Sequence, residues 1–251
     1  MKRIRLAAEL CAFYLLSYRC VIVAVVFLLM MVSHALNGQW GGDFWDHSAA
    51  VRELATHPLF PKHCQLALDT PHPWYSPYML AVALTSRVTG LDSIAALSVF
   101  GILNFVFLYV SLALLVSLLF PRHAEAAAFY LFMFVPLLWG KQVWSYSGFL
   151  HLSVLGRVLP YPATFAAALA LAGMAMQLQM ARTGAKAWGI PILAASIVVL
   201  LAHPLSYVLL ASALVSITLQ TNRRWAAYVA LLLGLFTLTV LAAVVWPYYP
   251  F

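Results

Sequence analysis

Long apolar runs separated by short polar segments dominate this chain. We predict membrane-spanning helices over residues 21–36, 94–120, 125–139, 160–180, 188–202, 205–220 and 225–246. Two of these runs are short for a hydrocarbon core of about 30 Å. The His203-Pro204 pair between the fifth and sixth runs fits either a tight hairpin or a kink in one long helix. The pattern predicts an all-α integral membrane protein with about seven spans and a cytoplasmic N-terminus.

One sizeable polar segment, residues 37–74, follows the first run. It holds four of the seven acidic residues together with four histidines: Asp43, Asp46, Glu53, Asp69, His47, His57, His63 and His72. Asp43 follows two glycines and is expected to cap a helix whose third position is Asp46, which resembles a capping box. The segment therefore begins with a short helix that carries acidic side chains.

This short helix is predicted to be amphipathic. At 100° per residue, Phe44, Ser48, Val51 and Ala55 share one side, and Asp46, Ala50, Glu53 and His57 share the opposite side. We expect the helix to lie on the membrane with its acidic side turned over the mouth of the helix bundle.

The stretch "SPYMLAVALTSRVTG" decides the predicted topology. Ser76 suits a helix cap, Pro77 the first turn and Gly90 the stop. A helix of about 13 residues is roughly 20 Å long, too short for the hydrocarbon core. We therefore place it at the outer interface, and residues 94–120 then return to the cytoplasm.

The distribution of basic residues supports this topology. With the short helix outside, eight of the 14 lysines and arginines are cytoplasmic and five are outside, and Arg19 lies at the edge of a span. If the short helix crossed the membrane, six would be inside and seven outside. Because cytoplasmic loops are enriched in Lys and Arg, the first arrangement is favoured.

Composition narrows the class of protein further. The chain has 251 residues, of which 65% are apolar and 8% charged, whereas soluble domains have about 25% charged residues. The net charge of +7 is scattered in ones and twos, which excludes a nucleic-acid surface. Cys11, Cys20 and Cys64 have no metal-ligand spacing and predict no disulfide framework. The basic start at Met1 is read as part of a retained first span.

Four outer pieces are predicted to meet in one transmembrane domain covering residues 1–251. They are the loop 37–93 with its two interfacial helices, the segment 140–159, the chain end 246–251 and the His203-Pro204 turn. An interfacial belt is expected for most of a set of aromatic residues near this face, although one or two such rings also stack on sugars: Trp139, Trp144, Tyr146, Phe149, Tyr161, Trp246, Tyr248 and Tyr249. The outer face is therefore the predicted site.

These features resemble the GT-C membrane glycosyltransferases, which include the protein O-mannosyltransferases and the lipid A aminoarabinose transferases. The resemblance rests on an acidic motif after the first span, an amphipathic helix, a His-Pro-rich loop, "YSPY" opening a second interfacial helix, and an outside-to-inside span. It implies a GT-C-like module that transfers a sugar from a polyprenyl phosphate to an acceptor hydroxyl and inverts the anomeric centre. A bacterial inner membrane is the expected location.

The resemblance also implies residue roles. Asp43 is the first candidate for the base and Asp46 the second. Arg157, Lys141 and His203 are expected to hold the donor phosphate, although the two cations also suit interfacial anchors. The expected substrate contacts are His47, Glu53, Trp144, Tyr146 and His151.

Metal dependence and catalytic competence stay open at this level. His57, His63, Asp69 and His72 are suitable ligand types for Zn²⁺ or Mn²⁺, but their spacing matches no known metal motif, so no metal site is assigned. The segment 140–159 has no carboxylate, unlike the O-mannosyltransferases. The alternative function is therefore a non-catalytic subunit, or half of a split enzyme, that binds a lipid-linked sugar or a partner membrane protein.

Overall fold

The computed structural model describes residues 18–40, 42–138, 156–221 and 225–248, with the backbone alone for residues 135–138 and 225–227. These ranges are helical and contain no β-strand. The helices are α1 Tyr18–Leu36, α2 Phe44–Thr56, α3 Pro77–Thr89, α4 Ser93–Leu119, α5 Ala124–Leu138, α6 Pro162–Thr183, α7 Gly189–Ala202, α8 Pro204–Thr221 and α9 Trp225–Val244. A single 3₁₀ turn, Lys186–Trp188, precedes α7.

Helices occupy all seven apolar segments, and the ends that lie inside the described ranges are within three residues of the predicted ones. The start of α1, the ends of α5 and α8 and the start of α9 coincide with limits of the described residues. Four of them, α1, α4, α6 and α8, are long and apolar enough to cross a membrane, which is the character of an integral membrane protein. The described apolar parts of α5, α7 and α9 are shorter. The count of seven spans therefore stays a prediction.

Helix α6 is the central helix and packs against α4, α7 and α8. Ala166, Ala170 and Ala175 are buried in it, and small residues allow neighbouring helices to approach closely. At Gly173, an added Cβ would lie 3.0 Å from Cδ1 of Leu210 on α8. The Leu210 side chain therefore packs directly against the backbone of α6 at Gly173.

Helix α1 lies beside α4 and α5 at the edge of the bundle. Phe27, Phe105 and Phe132, one from each helix, pack with ring centroids 6.2 to 6.5 Å apart. The other side of α1 exposes apolar residues, including Ile22 and Leu29, that are suited to contact lipid. The exposed side of α1 is therefore suited to face lipid.

Helix α3 has the predicted boundaries and caps. The Ser76 side chain accepts a hydrogen bond from the Met79 amide at 3.3 Å, and Pro77 is in the first turn. Gly90 ends the helix in the left-handed conformation at φ 74°. At 13 residues, α3 is outside the set of helices long enough to span a membrane.

Helix α2 differs from the prediction at its start. Asp43 has φ −69° and ψ −1°, in the helical region, and its side chain makes no capping hydrogen bond. A capping side chain needs an extended backbone to fold back over the first turn, so the capping prediction is wrong. The Asp43 carboxylate is therefore available for other contacts.

The apolar side of α2 packs on protein instead of lipid. Phe44, Ser48 and Val51 are buried against α3 and α4, and the Ser48 and Ser93 hydroxyls lie 2.8 Å apart. Ala50, expected on the polar side, is fully buried. Since α3 and α4 cover this side, the helix is held by the fold, and its position at the membrane surface stays a prediction.

The backbone leaves the helical conformation at His203, between α7 and α8. His203 has an extended backbone, φ −160° and ψ 95°, and Pro204 then opens α8. Because proline lacks an amide hydrogen, it fits the first position of a helix at no cost in hydrogen bonds. The structure therefore has two helices here and excludes one continuous kinked helix.

Candidate functional site

A cavity of about 360 Å³ lies where the start of α2, the start of α6 and the break between α7 and α8 meet. Segments from four distant parts of the sequence contribute to it. Its lining comprises Asp43, His47, Pro73, Trp74, Ser76, Tyr161, Pro162, Ala163, Leu201, Ala202, His203 and Pro204. Three of the predicted site residues, Asp43, His47 and His203, are thus brought together.

Asp43 and His47 are one helical turn apart at the start of α2. The His47 amide donates to the Asp43 carbonyl oxygen at 2.9 Å, so the backbone fixes their spacing. Asp43 is exposed and His47 is buried, and both line the cavity. The cavity therefore has an accessible carboxylate next to a buried imidazole.

The His47 ring lies between two aromatic rings. Its centroid is 4.8 Å from that of Trp74 and 4.8 Å from that of Tyr161. Burial lowers the pKa of His47 to about 4, and the nearby Asp46 opposes the effect only in part. Nδ1 of His47 is buried without a hydrogen-bond partner among the described residues. The His47 imidazole is therefore neutral at pH 7, and the residue lines the cavity.

Tyr161 supplies a phenol that stays protonated at neutral pH. Burial, followed by the negative charge of Asp43, raises the pKa of Tyr161 to about 12, while the Arg157 guanidinium acts in the opposite direction. A Cβ added at Gly42 would lie 4.0 Å from the Tyr161 hydroxyl oxygen. The Gly42 turn, at φ 60°, therefore passes close to this hydroxyl.

His203 lines the cavity between the end of α7 and Pro204, which opens α8. Its Nδ1 is 2.8 Å from the Ser206 hydroxyl and accepts the Ser206 amide hydrogen at 3.3 Å. Burial lowers the pKa of His203. Because Nδ1 accepts from the amide, the neutral ring carries its proton on Nε2, which makes Nε2 a hydrogen-bond donor.

Asp46 and Glu53 do not line the cavity. Asp46 accepts a hydrogen bond from the Gln65 side chain at 2.5 Å. Glu53 lies 3.0 Å from the His57 ring and accepts the Lys62 amide hydrogen at 2.9 Å. These two carboxylates therefore hold the loop that follows α2.

The predicted phosphate and substrate contacts of the second outer segment are only partly described. Arg157 is exposed and does not line the cavity, but its charge acts on Tyr161. Lys141, Trp144, Tyr146 and His151 lie outside the described residues. Arg157 is therefore the one cation of this segment that the structure places near the cavity.

The chain end holds the loop 57–76 against the site. The Trp246 indole donates a hydrogen bond to the Tyr75 carbonyl oxygen at 2.8 Å, and the Tyr248 hydroxyl donates one to the Pro58 carbonyl oxygen at 2.6 Å. The Tyr75 hydroxyl donates to the Lys62 carbonyl oxygen. Loop 57–76 is thus tied down at both ends and in the middle.

Trp74 was missed by sequence reasoning, and Tyr161 was counted only as an aromatic of the interfacial belt. Both stand beside prolines at the approach to a helix, in "HPWYSP" and "LPYP". Proline restricts the backbone there, so the neighbouring ring is held in one direction. An aromatic residue next to a proline, within a few positions of a helix start, was the signal that was available.

The cavity combines one carboxylate, two neutral imidazoles, a phenol and an indole. This set can accept one proton, donate hydrogen bonds to polar groups and stack on a flat ring face. Among the described lining residues, Asp43 is the single carboxylate. No known protein family, curated protein or solved structure was found to match the chain.

Proposed function

We propose that this protein is a multi-pass membrane glycosyltransferase of the GT-C type. It moves a sugar from a polyprenyl phosphate to an acceptor hydroxyl at the outer face of a bacterial inner membrane. The observation that carries the proposal is the cavity in which Asp43, His47 and His203 meet beside Trp74 and Tyr161. The seven spans and the cytoplasmic N-terminus are part of the proposal.

Asp43 acts as the base in the proposed reaction. The acceptor oxygen bonds to C1 of the sugar as the bond from C1 to the phosphate oxygen breaks, and the polyprenyl phosphate leaves with the bonding electrons. The acceptor proton passes to the Asp43 carboxylate. A single displacement of this kind inverts the anomeric centre and needs one carboxylate as base, and Asp43 is the single one in the described lining.

The neutral imidazoles bind the substrate in this proposal. His47 lines the cavity and contacts the sugar with its neutral ring. Nε2–H of His203 donates to a phosphate oxygen, and Trp74 offers an indole for the sugar face. Each role uses a group that the fold already holds in place.

The leaving phosphate requires cations at headgroup depth. Arg157 is exposed beside Tyr161 and binds phosphate oxygens through its planar guanidinium. Lys141, Trp144, Tyr146 and His151 keep their proposed roles from the sequence, whereas Asp46 and Glu53 support the loop. The donor lipid would therefore approach the cavity from the Arg157 side.

Asp43→Asn is the direct test of the proposed base. Full-length protein in nanodiscs would be given synthetic polyprenyl-phosphate monosaccharides with labelled sugars. Two quantities would be measured: the transfer of the labelled sugar and the binding of the donor. We expect Asp43→Asn to lower turnover by about 100-fold or more, with donor binding kept, because a general base contributes about 10²- to 10⁴-fold. Unchanged turnover in Asp43→Asn would exclude the proposed base.

Asp69→Asn is the matched control for this test. Asp69 is an exposed carboxylate of the same polar loop, 2.8 Å from Lys62, and does not line the cavity. Its replacement also removes one negative charge, so it controls for the change in local charge. We expect it to leave turnover within about twofold, since exposed ion pairs contribute little.

A non-catalytic subunit that binds a lipid-linked sugar is the second candidate function. The absence of a second carboxylate from the described lining favours it. The same experiment separates the two functions. The binding subunit would be identified by donor binding that depends on His47, together with no turnover by the wild-type chain until a partner membrane protein is added. Turnover by the wild-type chain alone would identify the enzyme.

A further inference from the structure

His63, Cys64 and His72 form a side-chain cluster in the loop that follows α2. One nitrogen or sulfur ligand atom from each residue lies within 4.8 Å of the others. The rings of His63 and His72 are nearly perpendicular at 89°, with centroids 4.5 Å apart. All three residues are half-buried, and none lines the cavity described above.

The fold holds this cluster in place. The His72 ring packs edge-on against Trp74 at 5.1 Å and Tyr75 at 6.2 Å. Tyr75 in turn is fully buried and accepts the Trp246 hydrogen bond on its carbonyl oxygen. Side chains that are positioned by a buried neighbour lose less conformational entropy when they bind a ligand.

We propose that His63, Cys64 and His72 bind one zinc ion. Two imidazole nitrogens and a thiolate sulfur are the ligand types that Zn²⁺ selects, and three protein ligands leave a fourth position for water. Tetrahedral coordination at ordinary bond lengths separates such ligand atoms by about 3.3 to 3.6 Å. The atoms, within 4.8 Å of one another, therefore need to close by up to about 1.5 Å.

The charges around the cluster favour a cation. Asp46 is held against this loop by the hydrogen bond from Gln65, the residue next to Cys64. Lys62, the nearest basic residue in sequence, has its ammonium 2.8 Å from the Asp69 carboxylate, which offsets its charge. A divalent ion would therefore enter a site with a carboxylate nearby and a compensated lysine.

Metal binding competes with backbone hydrogen bonds of the loop. Nδ1 of His63 accepts the amide hydrogens of Gln65 and Leu66 at 3.2 and 3.1 Å, and Nδ1 of His72 accepts that of Trp74 at 3.2 Å. A zinc ion at Nδ1 would displace these bonds directly, and one at Nε2 would move the ring proton onto Nδ1. Either way the loop rearranges on binding, so the affinity is below that of a preorganised structural zinc site.

Cobalt substitution tests the proposal. Full-length protein is stripped with a chelator and titrated with Co²⁺, whose bond to a thiolate gives a charge-transfer absorption, and Zn²⁺ is then added as competitor. We expect one ion per chain and a charge-transfer band that Zn²⁺ abolishes. Cys64→Ser removes the band, and His63→Asn or His72→Asn weakens Co²⁺ binding by about tenfold or more.

His57→Asn and Cys20→Ala are the matched controls. His57 belongs to the same polar loop but pairs with Glu53, and Cys20 is buried in α1, so both variants keep the band. A second readout does not need the Cys64→Ser variant. In a chain that retains Cys64 as its one cysteine, we expect Zn²⁺ to protect the Cys64 thiol from reaction with maleimide. A wild-type chain without the band, a band that survives Cys64→Ser, or a loss of affinity in His57→Asn equal to that in His72→Asn would overturn the proposal.

Discussion

The hydroxyl of Tyr78 donates to the carbonyl oxygen of Pro160 at 2.6 Å, between residues 82 positions apart in the chain. Asn104 on α4 donates to the same hydroxyl at 2.9 Å and to the Leu159 carbonyl oxygen at 2.8 Å. This buried network ties α3 and α4 to the segment just before α6, next to Tyr161 of the cavity. The position of one cavity wall therefore depends on a tyrosine and an asparagine that do not line it.

Replacing Tyr78 by phenylalanine should destabilise the fold. The ring would keep its packing with Phe100 and Phe165, but the Pro160 carbonyl and the Asn104 amide would each lose a buried partner. A buried polar group left unsatisfied costs about 1 to 3 kcal/mol. Thermal unfolding in detergent measures the change. The control is Tyr130→Phe, at an exposed hydroxyl, which should leave the unfolding temperature unchanged.

The sequence predicts α3 well because its end signals are local. Ser76, Pro77 and Gly90 each act on the backbone within a few positions, and the structure has each in its expected place. The Tyr78, Asn104 and Pro160 network could not be predicted, since its members are far apart in sequence. Asn104 was visible as the one side-chain amide in α4, but an amide does not reveal which partner it binds.

The buried imidazole of His47 should make stability depend on pH. Its folded-state pKa, about 4, is below the ordinary value of 6.5, so the unfolded chain binds the proton more readily. The resulting stability is complete above pH 6.5 and is lost as the pH falls toward 4. The full difference corresponds to about 3 kcal/mol. Chemical unfolding between pH 7 and 4 measures it.

His47→Phe isolates this contribution from that of other titrating groups. Phenylalanine keeps an aromatic ring between Trp74 and Tyr161 but has no nitrogen to protonate. We expect the variant to lose less stability than the wild type on acidification, by about 3 kcal/mol at pH 4. Parallel pH profiles for the two proteins would show that His47 is not the group responsible.

Two glycines in the apolar helices should respond to substitution in opposite ways. Gly173→Val adds a Cβ that would lie 3.0 Å from Cδ1 of Leu210, together with two further methyl groups, and overpacking of this kind costs about 1 to 3 kcal/mol. Gly234→Ala adds a Cβ that has no atom of the described residues within 4 Å, in the middle of α9. That change should be neutral or stabilising by up to about 1 kcal/mol, because alanine favours the helix. Thermal unfolding of both variants in one detergent compares them.

Apolar periodicity located the helices but gave little information about their faces. In α4 and α9 nearly every position is apolar, so no polar stripe marks the side that faces neighbouring helices. Lipid and protein are both apolar surroundings, which removes the contrast that identifies a buried face in soluble proteins. The capping prediction for Asp43 failed because it relied on residue type alone. A capping side chain needs an extended backbone, and residue type does not fix that conformation.

Cysteine labelling tests whether the cavity segments open to one compartment. In a chain whose three native cysteines are replaced by alanine, single cysteines are introduced at Trp45, Pro247 and Arg122, which are all exposed. The start of α2 and the segment after α9 both contact the loop 57–76 in the structure, because Asp46 binds Gln65 and Tyr248 binds Pro58. Arg122 lies beyond the far end of α4, a helix of 27 residues, or roughly 40 Å.

An impermeant maleimide added to intact cells should therefore label the cysteines at 45 and 247 and leave the one at 122 unlabelled until the membrane is opened. Labelling of 45 and 122 from the same side would mean that α4 does not cross the membrane. The proposed placement of the cavity at the outer face would then be wrong.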